Sequence, residues 1–121
     1  MQKEDGYAIA HRSELERTGG WTLVRRSLGC GSFGVNIVEI PAGGSIPEHD
    51  ERDRDQEELF YVLSGSPTIV IDGVDHRVEP GTFARLDPPP IRTIRNDGTE
   101  PSSVLIVSAP TTSGYTPMEW A

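Results

Sequence analysis

A chain of 121 residues and 13.2 kDa is long enough for one domain that buries roughly two-thirds of its extended surface, and too short for two. Its net charge of −8 excludes nucleic acid and anionic membrane as partners, because phosphates would be repelled rather than neutralised. A single cysteine rules out an intrachain disulfide, the MQKEDGY beginning has no apolar h-region and the longest apolar runs are too short to span a bilayer, so a soluble cytoplasmic protein is expected.

Ser13 to Glu16 reads as a short helical turn, with Ser13 as N-cap and Glu16 at the third helical position, closed by Gly19 and Gly20. His11 has no evident partner. Trp21 to Leu28 and Val35 to Ile40 alternate as strands, and Pro41 to Gly44 turns the chain after the second. Between them, Gly29 to Gly34 matches GxGxxG, but no helix pattern follows and the sole lysine is Lys3, so neither a dinucleotide nor a kinase phosphate loop results. The same lone lysine leaves no internal Schiff-base candidate, and no GxSxG elbow is present. Cys30 lacks a base and reads as a small buried residue.

The stretch Pro47 to Gly65 concentrates the chemistry. Residues 48–58 hold seven carboxylates against Arg52 and Arg54, a net of −5, most of it a solvated loop. Asp53 and Asp55 lack the glycine a calcium loop needs for its sharp turn. Glu57 to Leu63 has strand composition, and period-two alternation sets Glu58 on one face with Phe60 and Val62, with Leu59, Tyr61 and Leu63 on the other. A carboxylate in line with core residues needs an ion, an arginine or a hydrogen-bond network, because burying it unpaired costs several kcal/mol. Thr68 to Asp72 and Asp75 to Val78 form a hairpin about Gly73, leaving His76 exposed; Thr82 to Leu86, Arg92 to Asn96 and Ser103 to Val107 follow as strands. Strands at this spacing without a long helix make an all-β sandwich or barrel. Tyr115, Met118 and Trp120 give the last residues more apolar surface than a free tail needs, so the tail is expected to dock.

These residues resemble the cupins, small double-stranded β-helix or jelly-roll proteins. Gly43, His49, Glu51, Glu58 and Gly65 follow the first motif of that family, with Glu51 at its second histidine and a longer gap; Pro80-Gly81, Pro88, Arg92 and Asn96 follow the second, with Arg92 at its third histidine. The resemblance covers about residues 35–107 of a single domain spanning 1–121, with the N-terminal strand and the tail packed on it. It implies a site for iron, manganese, nickel or zinc, of which His49 and Glu58 survive, and His49, Glu51 and Glu58 remain a possible ligand set. Arg92 opposes a cation, since a guanidinium has no lone pair; it fits a carboxylate bidentately, so it either pairs with Glu58 or Glu51 or binds an anionic ligand.

Three readings stay open. The first is a small polar or ring-bearing ligand held in the barrel without metal, with Arg92, Phe60, Glu51 and Asn96 as ligand-binding residues. The second is a metal-free acid–base enzyme of isomerase, lyase or cyclase type with His49 and Glu58 as its catalytic pair. The third is a metal-dependent dioxygenase or isomerase. Whichever of Phe33, Phe60 and Phe83 point inward make the pocket partly apolar. A homodimer is what the resemblance implies, with Trp21 and its strand covering a sheet edge or exchanging with a second subunit.

Overall fold

The computed structural model describes residues 1–121. Its chain opens with a hairpin of β1 (Gln2–Glu4) and β2 (Tyr7–Ile9) about Asp5 and Gly6, a short turn signal that the sequence reading passed over. The helical turn follows two residues earlier than expected, as a 3₁₀ turn at Arg12–Glu14. His11 is its N-cap: Nδ1 accepts from the Ser13 backbone N–H at 3.1 Å, and the Glu14 carboxylate accepts from the His11 N–H at 2.9 Å. Imidazole thus takes the role assigned to the Ser13 hydroxyl, with the same three-residue spacing to a glutamate.

The strand expected over Trp21–Leu28 is a correction. Next come β3 (Arg17–Thr18) and β4 (Trp21–Thr22), and then the chain turns into a short helix, α1 (Val24–Leu28), closed at Gly29. Leu and Arg are good helix formers, and Arg25 and Arg26 in the last turn suit the helix dipole, so local preference outweighs the alternation. The helix packs on β5 (Gly34–Ile40). Cys30 beyond it is half-buried rather than enclosed.

The remaining strands are β6 (Gln56–Ser64), β7 (Thr68–Ile71), β8 (Val74–Arg77), β9 (Phe83–Leu86), β10 (Arg92–Arg95) and β11 (Ser102–Pro110). They assemble into a six-stranded sheet of order β3-β4-β5-β11-β6-β9 and a smaller sheet of order β10-β7-β8. The last two expected strands, Arg92–Asn96 and Ser103–Val107, are consecutive in the chain but lie in different sheets: β10 pairs β7, and β11 runs between β5 and β6. Residues 44–49 extend the small sheet beyond β10 through isolated bridges at Ser45–Arg95 and His49–Arg92. The core fills the space between the sheets, with Val38, Ile40, Phe60, Leu86, Val104 and Ile106 from one and Ile69 and Ile94 from the other. This is the expected jelly-roll barrel, with strands making up nearly all of its regular secondary structure, and no helix is long and apolar enough to cross a membrane.

Candidate functional site

The alternation along β6 places the central carboxylate. Glu58, Phe60 and Val62 are buried, whereas Leu59, Tyr61 and Leu63 are on the outer face, where Tyr61 packs on Phe83 with ring centroids 4.4 Å apart. Register then builds the inner wall: Glu58 lies opposite Ser108 of β11, which lies opposite Gly34 of β5, and Phe60 lies opposite Ile106, which lies opposite Asn36. These residues line a cavity of about 280 Å³, completed by Trp21, Ile46, His49, Glu51 and Arg54. Phe33 and Phe83 are exposed, so of the three phenylalanines Phe60 alone lines the cavity.

His49 reaches this wall from the other sheet. Its backbone N–H donates to Arg92 O at 3.0 Å and its carbonyl accepts from Arg92 N–H at 2.8 Å, which fixes the strand segment. The ring Nδ1–H donates to Pro47 O at 3.0 Å, because a carbonyl only accepts, and the neutral ring therefore presents a bare Nε2. That nitrogen lies 3.3 Å from Glu51 Oε1 and 3.7 Å from Glu58 Oε1. Glu51 is held there by its N–H on Pro88 O at 3.0 Å. His49, Glu51 and Glu58 thus converge, with ligand atoms within 4.8 Å of one another. Three acceptors facing one point repel each other unless a proton or a cation lies between them.

Arg92 occupies the interior as inferred, outside the lining of the cavity and with its fork turned to the preceding loop. It is completely buried, its Nη1 donates to Pro88 O at 3.1 Å and Pro90 O at 2.7 Å, and its Nη2 donates to Asp87 O at 2.8 Å. The local sequence explains this. Pro88, Pro89 and Pro90 offer carbonyls without N–H groups, and a guanidinium offers five donors without an acceptor. Only Nε faces Glu58, 3.2 Å from Oε1, as an ion pair without hydrogen-bond alignment, so both atoms are buried without a hydrogen-bond partner. Three of the five guanidinium donors are thus spent on loop carbonyls, and Nε is turned to Glu58.

Asn96 also lies away from the cavity. Its amide donates to Ile40 O and Glu100 O, both at 2.8 Å, and its Oδ1 accepts from Gly98 N–H at 3.0 Å, so it clamps the crossover between the sheets and does not line the cavity. Trp21, Asn36, Arg54 and Ser108 were missed as cavity residues. Parity along β11 offered a signal for Ser108, a polar residue in phase with Val104 and Ile106.

Burial raises the Glu58 carboxyl above its ordinary 4.5, the charge of Glu51 adds to this, and Arg92, His49 and Arg54 oppose it. The folded chain then binds a proton at Glu58 more readily than the unfolded chain does. Its contribution to stability is complete below the ordinary value and is lost as pH rises through the raised one. In chelator-treated protein, the urea midpoint is expected to fall as pH rises across that window, and Glu58→Gln to flatten the fall. A wild-type midpoint that holds level or climbs there would contradict the sign.

The family description "Cupin domain" matches residues 36–108, which include this whole site apart from Trp21 and the residues at Gly34 and Val35. The chain belongs to the cupin family. Among curated proteins no sequence matches. Among solved structures this cupin is similar to a cupin protein from Bacteroides fragilis, at 27% identity over 92% of each chain with a TM-score of 0.76. It also shares its fold with a sugar phosphate isomerase from Silicibacter pomeroyi (24% identity, 76% of this chain and 60% of that one, TM-score 0.65). A predicted oxalate decarboxylase from Thermotoga maritima has the same fold (20% identity, 84% of this chain and 98% of that one, TM-score 0.70). Two such different activities on one barrel leave the chemistry to the site.

Proposed function

We propose that this cupin binds a small polar ligand in its barrel beside a divalent transition metal held by His49, Glu51 and Glu58. The observation that carries this is the convergence of three acceptors, with Nδ1 of His49 tied to Pro47 O so that the Nε2 lone pair points at the carboxylates. A carbonyl on the remote ring nitrogen is the usual support of a metal-bound histidine. Imidazole with two carboxylates suits iron, manganese, nickel or zinc. The expected obstacle, the charge of Arg92, is weakened because its two terminal nitrogens are engaged by the loop carbonyls at 87–90.

When bound, such an ion would act as a Lewis acid on an oxygen of the ligand. The chain's own residues supply the remainder. Trp21, Phe60 and Ile106 make an apolar wall for a ring or carbon skeleton, and Asn36 and Ser108 offer hydrogen bonds across it. Arg92 supports the metal-free acid–base alternative. A proton on His49 between Glu51 and Glu58, with Arg92 beside Glu58, also balances the charges.

Elemental analysis of protein purified without chelator, followed by calorimetric titration with each metal, decides between them. One equivalent per chain is expected, with affinity reduced roughly a hundredfold or more in His49→Ala, beyond the loss typical of outer-shell changes. Protein that takes up no metal under these conditions would leave the proton-filled pocket as the reading.

A further inference from the structure

A second cavity lies outside the barrel. Glu39 of β5 alternates with Val38 and Ile40, which face the core, and so belongs to the outer face of the large sheet. The register sets it opposite Ser103 of β11, and Ser103 opposite Ser64 of β6. Arg17 of β3 lies opposite Thr22 of β4 at the end of the same sheet. The 3₁₀ turn closes over this row, pinned by Arg12 Nη2, which donates to Ser103 Oγ at 2.9 Å. Turn and sheet enclose about 510 Å³, and none of the residues that line this space is hydrophobic.

The lining is rich in donors. His11 Nδ1 accepts from Ser13 N–H, so the neutral ring carries its proton on Nε2. Arg12 spends one donor on Ser103, whose hydroxyl accepts that bond and keeps its own hydrogen. Arg17 meets only Glu39, at 3.7 Å, too far for a hydrogen bond. Thr22 lines the cavity at 3% exposure, and its hydroxyl makes no hydrogen bond within the chain. A polar group so enclosed ordinarily has a partner, in the protein or outside it.

Charge points the same way. Arg12 and Arg17 outweigh Glu39 here, against a net −8 for the whole chain. Carboxylates on the adjoining segment are engaged: Glu14 by the N-terminal ammonium and the His11 N–H, and Glu16 by Arg26 at 3.7 Å. The acidic loop adjoins the far end of β6. Glu58 and Ser64 are six residues apart on that strand, about 20 Å, which exceeds two Debye lengths at physiological salt.

We propose that this cavity binds a phosphate group, either inorganic phosphate or the phosphate of a small polyol ester. A tetrahedral oxyanion accepts on several sides, and the donors here arrive from several sides: guanidinium groups from the turn and β3, hydroxyls from β4, β6 and β11. A planar carboxylate would engage a single fork. Without an apolar wall the rest of the ligand must be hydrophilic, and Glu39 offers an acceptor to one of its hydroxyls. The site is independent of the metal reading, because His49, Glu51 and Glu58 lie within the barrel on the other face of the sheet.

Equilibrium dialysis of the full chain against radiolabelled inorganic phosphate or glycerol 3-phosphate tests this. The protein is chelator-treated, so that no metal in the barrel attracts phosphate, and ionic strength is matched with chloride. Saturation at one equivalent per chain is expected. Tighter binding of the ester assigns the site to a phosphorylated polyol, and tighter binding of phosphate to the free ion; either supports the site. Arg12→Gln and Arg17→Gln are each expected to raise the dissociation constant at least about tenfold, the worth of a charge-assisted hydrogen bond. Arg17 is more than half exposed, so Arg17→Gln carries the test should Arg12→Gln fold poorly by circular dichroism. His49→Ala is expected to leave this binding unchanged. The proposal is overturned if neither compound saturates, if Arg17→Gln binds as wild type does, or if His49→Ala abolishes binding.

Discussion

Arg92→Ala is expected to lose about 3–5 kcal/mol of stability, the usual cost of removing one partner from a buried ion pair. Wild-type Arg92 is wholly enclosed and meets four oxygens: Glu58 Oε1 and the carbonyls of Asp87, Pro88 and Pro90. Truncation leaves the Glu58 carboxylate without its countercharge, opens a cavity and frees a proline loop that has almost no donors of its own. Arg92→Lys is expected to fall between, because one ammonium cannot serve a forked set of carbonyls and a carboxylate together. Arg92→Met combined with Glu58→Gln should recover part of the loss, since removing both members of a buried pair is far less costly than removing one. Urea midpoints at unchanged slope would report these differences. An Arg92→Ala chain within about 1 kcal/mol of wild type would mean that the interior pair contributes nothing specific.

Gly65→Ala is the other large effect, expected at about 3 kcal/mol or more. Gly65 sits at φ +79 where β6 ends, and a Cβ there would fall on Ser102 Oγ, 2.7 Å from Ser102 Cα and 2.8 Å from Pro101 O. The close approach accompanies the register shift between Ser103 and Val104, which lets β11 begin beside β6. Gly43 provides the control, having the same φ of +79 and nothing within 4 Å of a built Cβ. Gly43→Ala should therefore cost only the backbone strain, about 1 kcal/mol. Thermal midpoints of the two variants separate the terms: equal shifts would show that the contact with Ser102 does not matter.

The position of Glu58 was legible because β6 has a strict period of two, and one residue of phase decides whether a side chain faces the core or water. Its partner Arg92 was legible for a different reason, as a fixed positive charge at a place where the family resemblance sets a histidine. Other parts of the site were not. Ser108, Asn36 and Trp21 reach the cavity through cross-strand register between segments far apart in sequence, and no local pattern encodes that register. Asn96 was misassigned for the same reason: a polar residue in a motif looks alike whether it faces a ligand or holds two carbonyls across a crossover.

What the linear order of residues determined, then, was the strand content, the inward parity of Glu58 and Phe60 and the scarcity of positive charge around an acidic loop. These are properties of neighbours along the chain, set by steric periods and composition. Tertiary structure alone decided that Arg92 is wholly enclosed with Nε beside Glu58, that Nε2 of His49 meets that same carboxylate, and that Tyr115, Met118 and Trp120 lie exposed. The carbonyls that Arg92 meets are only two to five residues away, but its enclosure and the meeting of Glu58 with His49 arise only when the jelly roll closes one sheet over the other.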